Sequence, residues 1–362
     1  MSKIVIDGRE LRTSSGRYVE RLLHYLQAIN SPHDFQILLK PEDVNGWQPT
    51  AANFSVVPCP HKEFSFDEQL GLKRQIQQLK PDLVHFTFPQ QPIWYRGRTV
   101  TTIHDLTTLR FSNPAKNAAV FKIKQRVYAH VIKRAAQKAQ RVLTPSEFVK
   151  SDLVNFSGIS PDKVTVTLEA ADAIVTQLSG LSQLIDKKFI MYVGRPTPHK
   201  NLARLVEAFA MVDDPDLLLV LAGKKDTNYE HFADGVPDTV RSRIVFTDFV
   251  DEGQLRWLYE NCAAYIFPSL SEGFGLPGLE AMAHGAPVVS SNATCLPEIY
   301  GDAARYFNPL DVPAMARAIK EVLSDQMLRD RLVATGREQV KKYSWQRMAE
   351  QTLASYNDAL RD

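Results

Sequence analysis

Several features that mark other protein classes are scarce or missing in this chain of 362 residues. It has only three cysteines, Cys59, Cys262 and Cys295, an odd and scattered set without metal-ligand spacing. No apolar run approaches the roughly 18 residues that span a bilayer, and the N-terminal segment has no signal-peptide core. We therefore expect a cytoplasmic protein in a reducing compartment, one that meets a membrane only at its surface, if at all.

The chain as a whole has no large excess of positive or negative charge, but one segment is strongly basic. The 43 Lys and Arg residues against 41 Asp and Glu residues give a formal charge of +2, which argues against a nucleic-acid partner for the molecule as a whole. Between Asp105 and Glu147, however, there is no acidic residue. The cations of this basic 110–141 segment are Arg110, Lys116, Lys122, Lys124, Arg126, Lys133, Arg134, Lys138 and Arg141.

Apolar residues at helical spacing are interleaved with these cations, which predicts a long helix with one apolar stripe and a basic remainder. Three interpretations remain open. The helix docks on an anionic membrane surface at the inner face of the membrane, it packs its stripe in the domain core with a solvated basic face, or it receives an anionic acceptor.

A dinucleotide fingerprint is also missing. After the strand at Lys3 to Ile6, Gly8 and Gly16 are separated by seven residues that include Glu10 and Arg12, whereas a nicotinamide enzyme needs three closely spaced glycines. Helical periodicity begins directly after Gly16. This start argues against a dehydrogenase.

Short apolar strands alternate with helical stretches along the chain, which indicates parallel sheets covered by helices on both faces. Small and polar residues from Glu169 to Lys187 predict a linker, so we place the domain boundary near residue 175. The predicted division is 1–175, 176–343 and a terminal helix over 344–362.

One stretch organises the second half. A buried strand, Ala264 to Phe267, leads into a turn with Gly273 and Gly275, and Pro277 stands where a helix takes its first residue. A helix N-terminus presents unpaired N–H groups and a partial positive charge, so phosphate is the expected ligand of this turn.

Two carboxylates flank this turn. Glu272 precedes the helix and Glu280 lies about one turn inside it, which suits two hydroxyl acceptors, one for each sugar of a nucleotide sugar. The alternative is that both are solvated glutamates without a role.

The run Ser-Glu-Gly-Phe-Gly-Leu-Pro-Gly-Leu-Glu-Ala-Met-Ala, with seven residues between Glu272 and Glu280, resembles the signature of retaining glycosyltransferases of family 4. The resemblance implies the α/β GT-B fold: two facing doubly wound, Rossmann-like domains with a cleft between them. It implies that Glu272 contacts the donor sugar, that Glu280 holds the ribose, and that the backbone at Phe274, Gly275 and Leu276 orients the donor.

Further positions match the family's motifs. In Gly-Arg-Pro-Thr-Pro-His-Lys-Asn, the resemblance implies that Arg195 and Lys200 bind the donor diphosphate. The planar guanidinium of Arg195 and the compact ammonium of Lys200 both suit phosphate oxygens. His104, at a strand end in Ile-His-Asp-Leu, matches a histidine that reaches the donor sugar. Gly16 matches a glycine near the diphosphate, and the backbone around Val250 would contact the base.

Each of these matches has a simpler alternative: a structural histidine, a helix-start glycine or an exposed basic loop. Together they predict a metal-independent hexosyltransferase without a cofactor. Its substrates would be a nucleotide diphosphate sugar and a glycan or lipid-linked acceptor. Likeness to bacterial mannosyltransferases of surface polysaccharide, lipopolysaccharide or glycolipid synthesis favours GDP-mannose. The competing functions are a nucleotide-sugar epimerase, a phosphorylase and a non-catalytic nucleotide-sugar-binding subunit.

Overall fold

A computed structural model describes residues 1–13, 16–111 and 118–361, without the side chains of 118–120. Lys116, one of the cations of the basic 110–141 segment, lies outside the described residues. Within the described part, no helix is both long and apolar enough to cross a membrane.

The chain divides into two compact units, each with its own parallel sheet. The first comprises Met1–Leu109, Ala119–Glu169 and Ser344–Asp362, and the second comprises Arg110–Ala118 and Ala170–Tyr343. The division at Glu169 lies slightly before the expected position near 175.

The first unit contains a seven-stranded sheet in the order β3-β2-β1-β4-β5-β6-β7. Its central strands carry buried apolar side chains on both faces, as expected where helices cover both sides of a parallel sheet. The strands are β1 (Lys3–Asp7), β2 (Asp34–Leu39), β3 (Phe54–Pro58), β4 (Leu83–Phe86), β5 (Thr99–Thr102), β6 (Arg141–Thr144) and β7 (Val164–Val166).

The helices of this part of the chain include α1, which buries one apolar stripe and begins directly after Gly16, as the periodicity predicted. They are α1 (Arg17–Ala28), α2 (Lys73–Leu79), α3 (Thr107–Arg110), α4 (Ala118–Lys138), α5 (Glu147–Ser157) and, from the far end of the chain, α14 (Trp345–Arg361). Helix α14 packs against α1, β4, β5 and β6.

A buried histidine links α14 to the first sheet. His85 Nδ1 lies 2.6 Å from the Tyr356 hydroxyl of α14, and its Nε2 lies 2.8 Å from Thr102 Oγ1, which in turn lies 2.9 Å from the Tyr18 hydroxyl. Complete burial lowers the pKa of His85 to about 3, and the nearby His104 acts in the same direction. The histidine is therefore neutral in the folded unit.

This lowered pKa predicts acid sensitivity of the first unit. Below its ordinary pKa of 6.5 His85 takes up a proton in the unfolded chain, but the folded unit binds it only near pH 3. The free energy of unfolding should therefore fall, by up to about 1.4 kcal/mol per pH unit, as pH decreases through this window. Denaturant unfolding at several pH values should show a shallower slope for His85→Gln. As a control, His24→Gln changes an exposed histidine and should leave the dependence of the unfolding free energy on pH unchanged. Equal slopes for the wild type and His85→Gln would contradict a lowered pKa of His85.

The second unit contains a six-stranded parallel sheet in the order β10-β9-β8-β11-β12-β13. Its strands are β8 (Phe189–Val193), β9 (Leu218–Ala222), β10 (Ile244–Phe246), β11 (Ala264–Phe267), β12 (Val288–Ser291) and β13 (Ala304–Phe307). The sequence interpretation missed β13, whose Ala-Arg-Tyr-Phe run is half polar and lies at the sheet edge.

Helices of the second unit cover this sheet. They are α6 (Leu202–Ala210), α7 (Thr227–Asp234), α8 (Asp238–Arg241), α9 (Glu252–Asn261), α10 (Leu276–Ala283), α11 (Leu296–Tyr300), α12 (Val312–Ser324) and α13 (Gln326–Val340). Helix α10 begins one residue before Pro277, which we had expected to be its first residue.

Candidate active site

The turn before α10 depends on Gly275, which has left-handed backbone angles of φ 99° and ψ 38°. A Cβ at this position would lie 2.6 Å from the Tyr300 hydroxyl and 2.7 Å from a Leu296 methyl group, so only glycine fits. The Tyr300 hydroxyl donates to the Gly275 carbonyl at 2.6 Å. Tyr300 therefore fixes the turn, leaving the N-terminal N–H groups of α10 as an anion-binding end.

Glu280 lies inside α10 and is 5% exposed. The hydroxyl of Tyr259, on α9, donates to Glu280 Oε2 at 3.3 Å. The Tyr259 ring stacks on His284 with 5.8 Å between the ring centroids, so the phenol that holds the carboxylate is itself fixed. This arrangement presents an oriented, largely desolvated carboxylate, which suits the recognition of hydroxyl groups.

Lys200 and Glu272 form an ion pair. Lys200 Nζ lies 2.6 Å from Glu272 Oε1, and the two side chains are 20% and 13% exposed. The ammonium also lies 5.6 Å from the centre of the Phe267 ring, at the end of β11. An ammonium has three N–H donors, so Lys200 can keep this carboxylate and still donate to an incoming anion.

The loop that carries the cations has its own supports. It starts at Gly194, with φ 141°, and continues to the exposed Arg195. Asn201 closes it in a left-handed conformation, with φ 60°. The Asn201 amide donates to the carbonyls of Pro268, at 3.0 Å, and Pro309, at 2.8 Å. These bonds tie the Lys200 loop to the segment that leads into Glu272.

The expected base loop follows β10. Asp248, with φ 63°, accepts hydrogen bonds from the backbone N–H groups of Lys225 and Phe249 at 2.7 and 2.8 Å. Asp251 caps α9 as part of a capping box with Gln254. The half-buried Val250 between them is therefore held in a backbone fixed on both sides.

Two predicted site residues belong to the first unit. His104 follows β5, and its Nε2 lies 3.0 Å from the Thr87 carbonyl, to which it must donate. Its Nδ1 lies 3.3 Å from the Glu169 carboxylate. Gly16 precedes α1, where a Cβ would lie 2.1 Å from the Leu11 carbonyl oxygen. Glycine is therefore required there for local packing, whatever its role toward a ligand.

The sequence interpretation missed several residues that hold this site. Tyr300, Tyr259 and Asn201 support Gly275, Glu280 and the Lys200 loop, but they act over long sequence separations. No pattern near these residues in the sequence indicates which distant group each of them contacts. The structure groups Lys200 with Glu272 and sets Glu280 one helical turn into α10, all in the second unit, whereas His104 and Gly16 belong to the first.

A buried charge cluster in the first unit was also missed. Arg9, which is 2% exposed, binds both Asp7 oxygens at 2.9 and 2.7 Å and Glu68 Oε1 at 3.0 Å. Burial raises the pKa of Glu68, and the Arg9 charge opposes that shift. Losing one partner would leave a buried charge unpaired, so this cluster fixes the residue 61–68 loop against β1.

Among the described residues, no group of three or more His, Cys, Asp or Glu side chains could hold a metal ion. The acidic run at 213–216 lies in a turn, where Asp214 pairs with Lys188 at 2.9 Å. The described cysteines are all free and buried.

Comparison with known families and proteins gives consistent matches. A family model described as Glycosyl transferases group 1 matches residues 182–339, and one described as Glycosyltransferase Family 4 matches residues 15–172. O-antigen chain mannosyltransferase B of Escherichia coli is 30% identical over 276 residues, covering 72% of this chain and 70% of that protein. Serotype-specific mannosyltransferase WbdA of Escherichia coli is 29% identical over 239 residues. That match covers 62% of this chain but only 29% of the length of WbdA.

Two solved structures share the fold. Sucrose-phosphate synthase from Thermosynechococcus elongatus superposes with a TM-score of 0.80 at 20% identity, over 99% of this chain and 98% of that one. HepE from Anabaena, in complex with UDP-glucose, gives a TM-score of 0.72 at 15% identity, over 99% and 100% of the two chains. Together with the two parallel sheets, these matches show a GT-B fold, as the sequence predicted.

Proposed function

The chain belongs to glycosyltransferase family 4, and on this basis we propose that it is a retaining, metal-independent hexosyltransferase that uses a nucleoside diphosphate sugar. Mannose is the sugar we favour, on GDP, because the relatives described above are named as mannosyltransferases. The acceptor would be a glycan or lipid-linked glycan, since one of those relatives is named for an O-antigen chain. The observation that carries the proposal is the Lys200–Glu272 pair beside the turn that opens α10.

The proposed mechanism starts from the charge on the leaving group. As the glycosidic bond breaks, the diphosphate becomes more negative, and Lys200, Arg195 and the N-terminus of α10 would receive that charge. Glu272 would keep the ammonium oriented through one N–H while accepting a donor-sugar hydroxyl through its other oxygen. The backbone at Phe274, Gly275 and Leu276 would then orient the sugar.

Recognition of the nucleoside would fall to other residues of the second unit. Glu280 would accept the ribose hydroxyls, and the backbone around Val250 would contact the base. The roles of His104 and Gly16 toward the donor stay predictions from the family resemblance. Retention would place the attacking acceptor on the same face of the sugar as the departing diphosphate.

Incubation of the purified protein with radiolabelled nucleotide sugars tests the proposal. We expect slow hydrolysis of GDP-mannose, or its transfer to an added mannoside, at a rate that EDTA does not change. The anomeric configuration of the product should equal that of the donor by NMR. UDP-glucose is the second donor to test, because HepE was solved with it. Interconversion of sugars would indicate an epimerase, and binding without turnover would indicate a binding subunit.

Glu280→Gln should weaken binding of the nucleoside diphosphate. The amide replaces one acceptor oxygen with a donor group and leaves ribose hydroxyls poorly paired, at a cost of about 1 to 3 kcal/mol. Calorimetry should therefore show about a five- to 150-fold higher Kd. Tyr259→Phe removes only the phenol that orients the carboxylate and should have a smaller effect. Unchanged affinity in Glu280→Gln would remove Glu280 from the ribose role.

A further inference from the structure

Helix α4 changes character along its length. Its C-terminal half packs into the first unit, where Ile132 and Ala136 join the core beside Val142. In its N-terminal half, Ile123 and Val127 are 61% and 58% exposed. The apolar stripe predicted from the sequence is therefore only partly used for packing, and one turn of large aliphatic side chains remains in water.

A neighbouring loop adds exposed aromatic side chains. Phe64 is 71% exposed and Phe66 is 88% exposed. Phe64 has φ 58°, a left-handed conformation that costs a residue with a side chain about 1 to 2 kcal/mol. Its N–H donates to Glu68 Oε2 at 3.2 Å, and Glu68 is held by Arg9. The buried charge cluster thus stabilises a loop that holds aromatic rings outward.

The loop and the helix form one surface. The Phe64 ring lies 5.8 Å from the ring of Tyr128, which is on α4 next to Val127. Lys122, Lys124 and Arg126 flank Ile123 and Val127 in the sequence of α4, and Lys62 precedes Phe64 by two residues; all four cations are exposed. We call these cations, together with Phe64, Phe66, Ile123 and Val127, the aromatic-basic face.

The charge of this face is uncompensated. Within the described residues, none of its four cations has a carboxylate partner. The acidic side chains nearest in sequence to the aromatic loop are already engaged: Asp67 lies 2.7 Å from His61 Nδ1, and Glu63 lies 3.0 Å from Lys40 Nζ. The face therefore combines exposed large apolar side chains with net positive charge.

We propose that the aromatic-basic face docks the first unit on an anionic lipid bilayer. Phe64, Phe66, Ile123 and Val127 would enter the boundary between headgroups and acyl chains, and the four cations would remain at the headgroup phosphates. Both contributions are favourable there, since apolar area leaves water and each cation near an anionic surface gains about 1 kcal/mol. This binding does not depend on transferase activity.

Vesicle co-sedimentation tests the proposal with the full chain. We expect binding to phosphatidylcholine vesicles that contain phosphatidylglycerol, weak binding to phosphatidylcholine alone, and release at high salt. Lys122→Gln with Lys124→Gln should weaken binding about thirtyfold, from about 1 kcal/mol for each cation. Phe66→Ser with Ile123→Ser should weaken it at least tenfold, and this loss should persist at low salt.

Matched controls lie on the second unit. Met327 is 83% exposed on α13, so Met327→Ser removes a comparable apolar side chain. Lys187→Gln with Lys320→Gln removes two exposed cations. These controls should bind vesicles like the wild type. The proposal would be overturned by equal binding to both vesicle types, by no binding to either, or by equal losses in the controls. It would also be overturned if light scattering showed that this face mediates self-association. Since co-sedimentation needs no donor, a failed transferase assay would leave this result standing.

Discussion

Replacing Lys200 with alanine should lower kcat for sugar transfer at least a hundredfold. Lys200 is the cation that Glu272 holds at 2.6 Å beside the turn of α10. Removing one preorganised donor to developing negative charge usually costs about 2.7 to 4 kcal/mol of transition-state stabilisation. Initial rates with the nucleotide sugar identified by the donor screen measure the effect.

Two further variants separate the charge from its positioning. Lys200→Arg keeps the charge but changes its geometry, so it should recover only part of the rate. Glu272→Gln keeps Lys200 but removes the carboxylate that orients it, and should lower kcat more than it raises KM. Lys320→Ala, an exposed cation of α12, is the matched control and should be unaffected. Near-normal turnover in Lys200→Ala, with an unchanged thermal unfolding midpoint, would remove Lys200 from the diphosphate role.

Gly275→Ala should both destabilise the second unit and abolish donor binding. The new methyl group would lie 2.6 Å from the Tyr300 hydroxyl, and the backbone would keep a φ of 99° that disfavours any Cβ. Left-handed strain of about 1 to 2 kcal/mol adds to an overpacking cost of about 1 to 3 kcal/mol. Denaturant unfolding measures the stability, and calorimetry with the nucleoside diphosphate measures the binding.

Gly285→Ala provides the comparison for this prediction. Gly285 has a φ of 78°, but the atom nearest to its added Cβ is 3.4 Å away, at the end of the flexible Arg337 side chain. We expect only the backbone strain there, so Gly285→Ala should lose about 1 to 2 kcal/mol and retain donor affinity. Equal losses in the two variants would show that the Tyr300 contact does not control the turn.

The parts of this protein that could be predicted from sequence are those whose physical cause is local. Strand and helix order follows from apolar periodicity: α1 begins directly after Gly16 and β11 spans Ala264–Phe267, as the sequence predicted. The α10 turn was recognisable because Glu272, Gly275 and Glu280 lie within nine residues of sequence. Glycine spacing and the position of a proline are enough to indicate such a turn.

The remaining features depend on contacts between distant residues. Tyr300 lies 25 residues from Gly275, and Arg9 lies 59 residues from Glu68. Nothing in the sequence near a tyrosine or an arginine shows which distant carbonyl or carboxylate it will meet. The same limit applied to the basic segment, where periodicity could not show that α4 buries Ile132 but leaves Ile123 in water.

The position of α14 affects the order in which the chain can fold during its synthesis. The strands β8 to β13 are all present once residue 307 has been added. The first sheet begins the sequence, yet it waits for residues 345–361 to supply Tyr356 as the partner of His85. On the ribosome, the half that is translated earlier would therefore be the later one to reach its native state, because one face of β4 to β6 stays uncovered until α14 emerges.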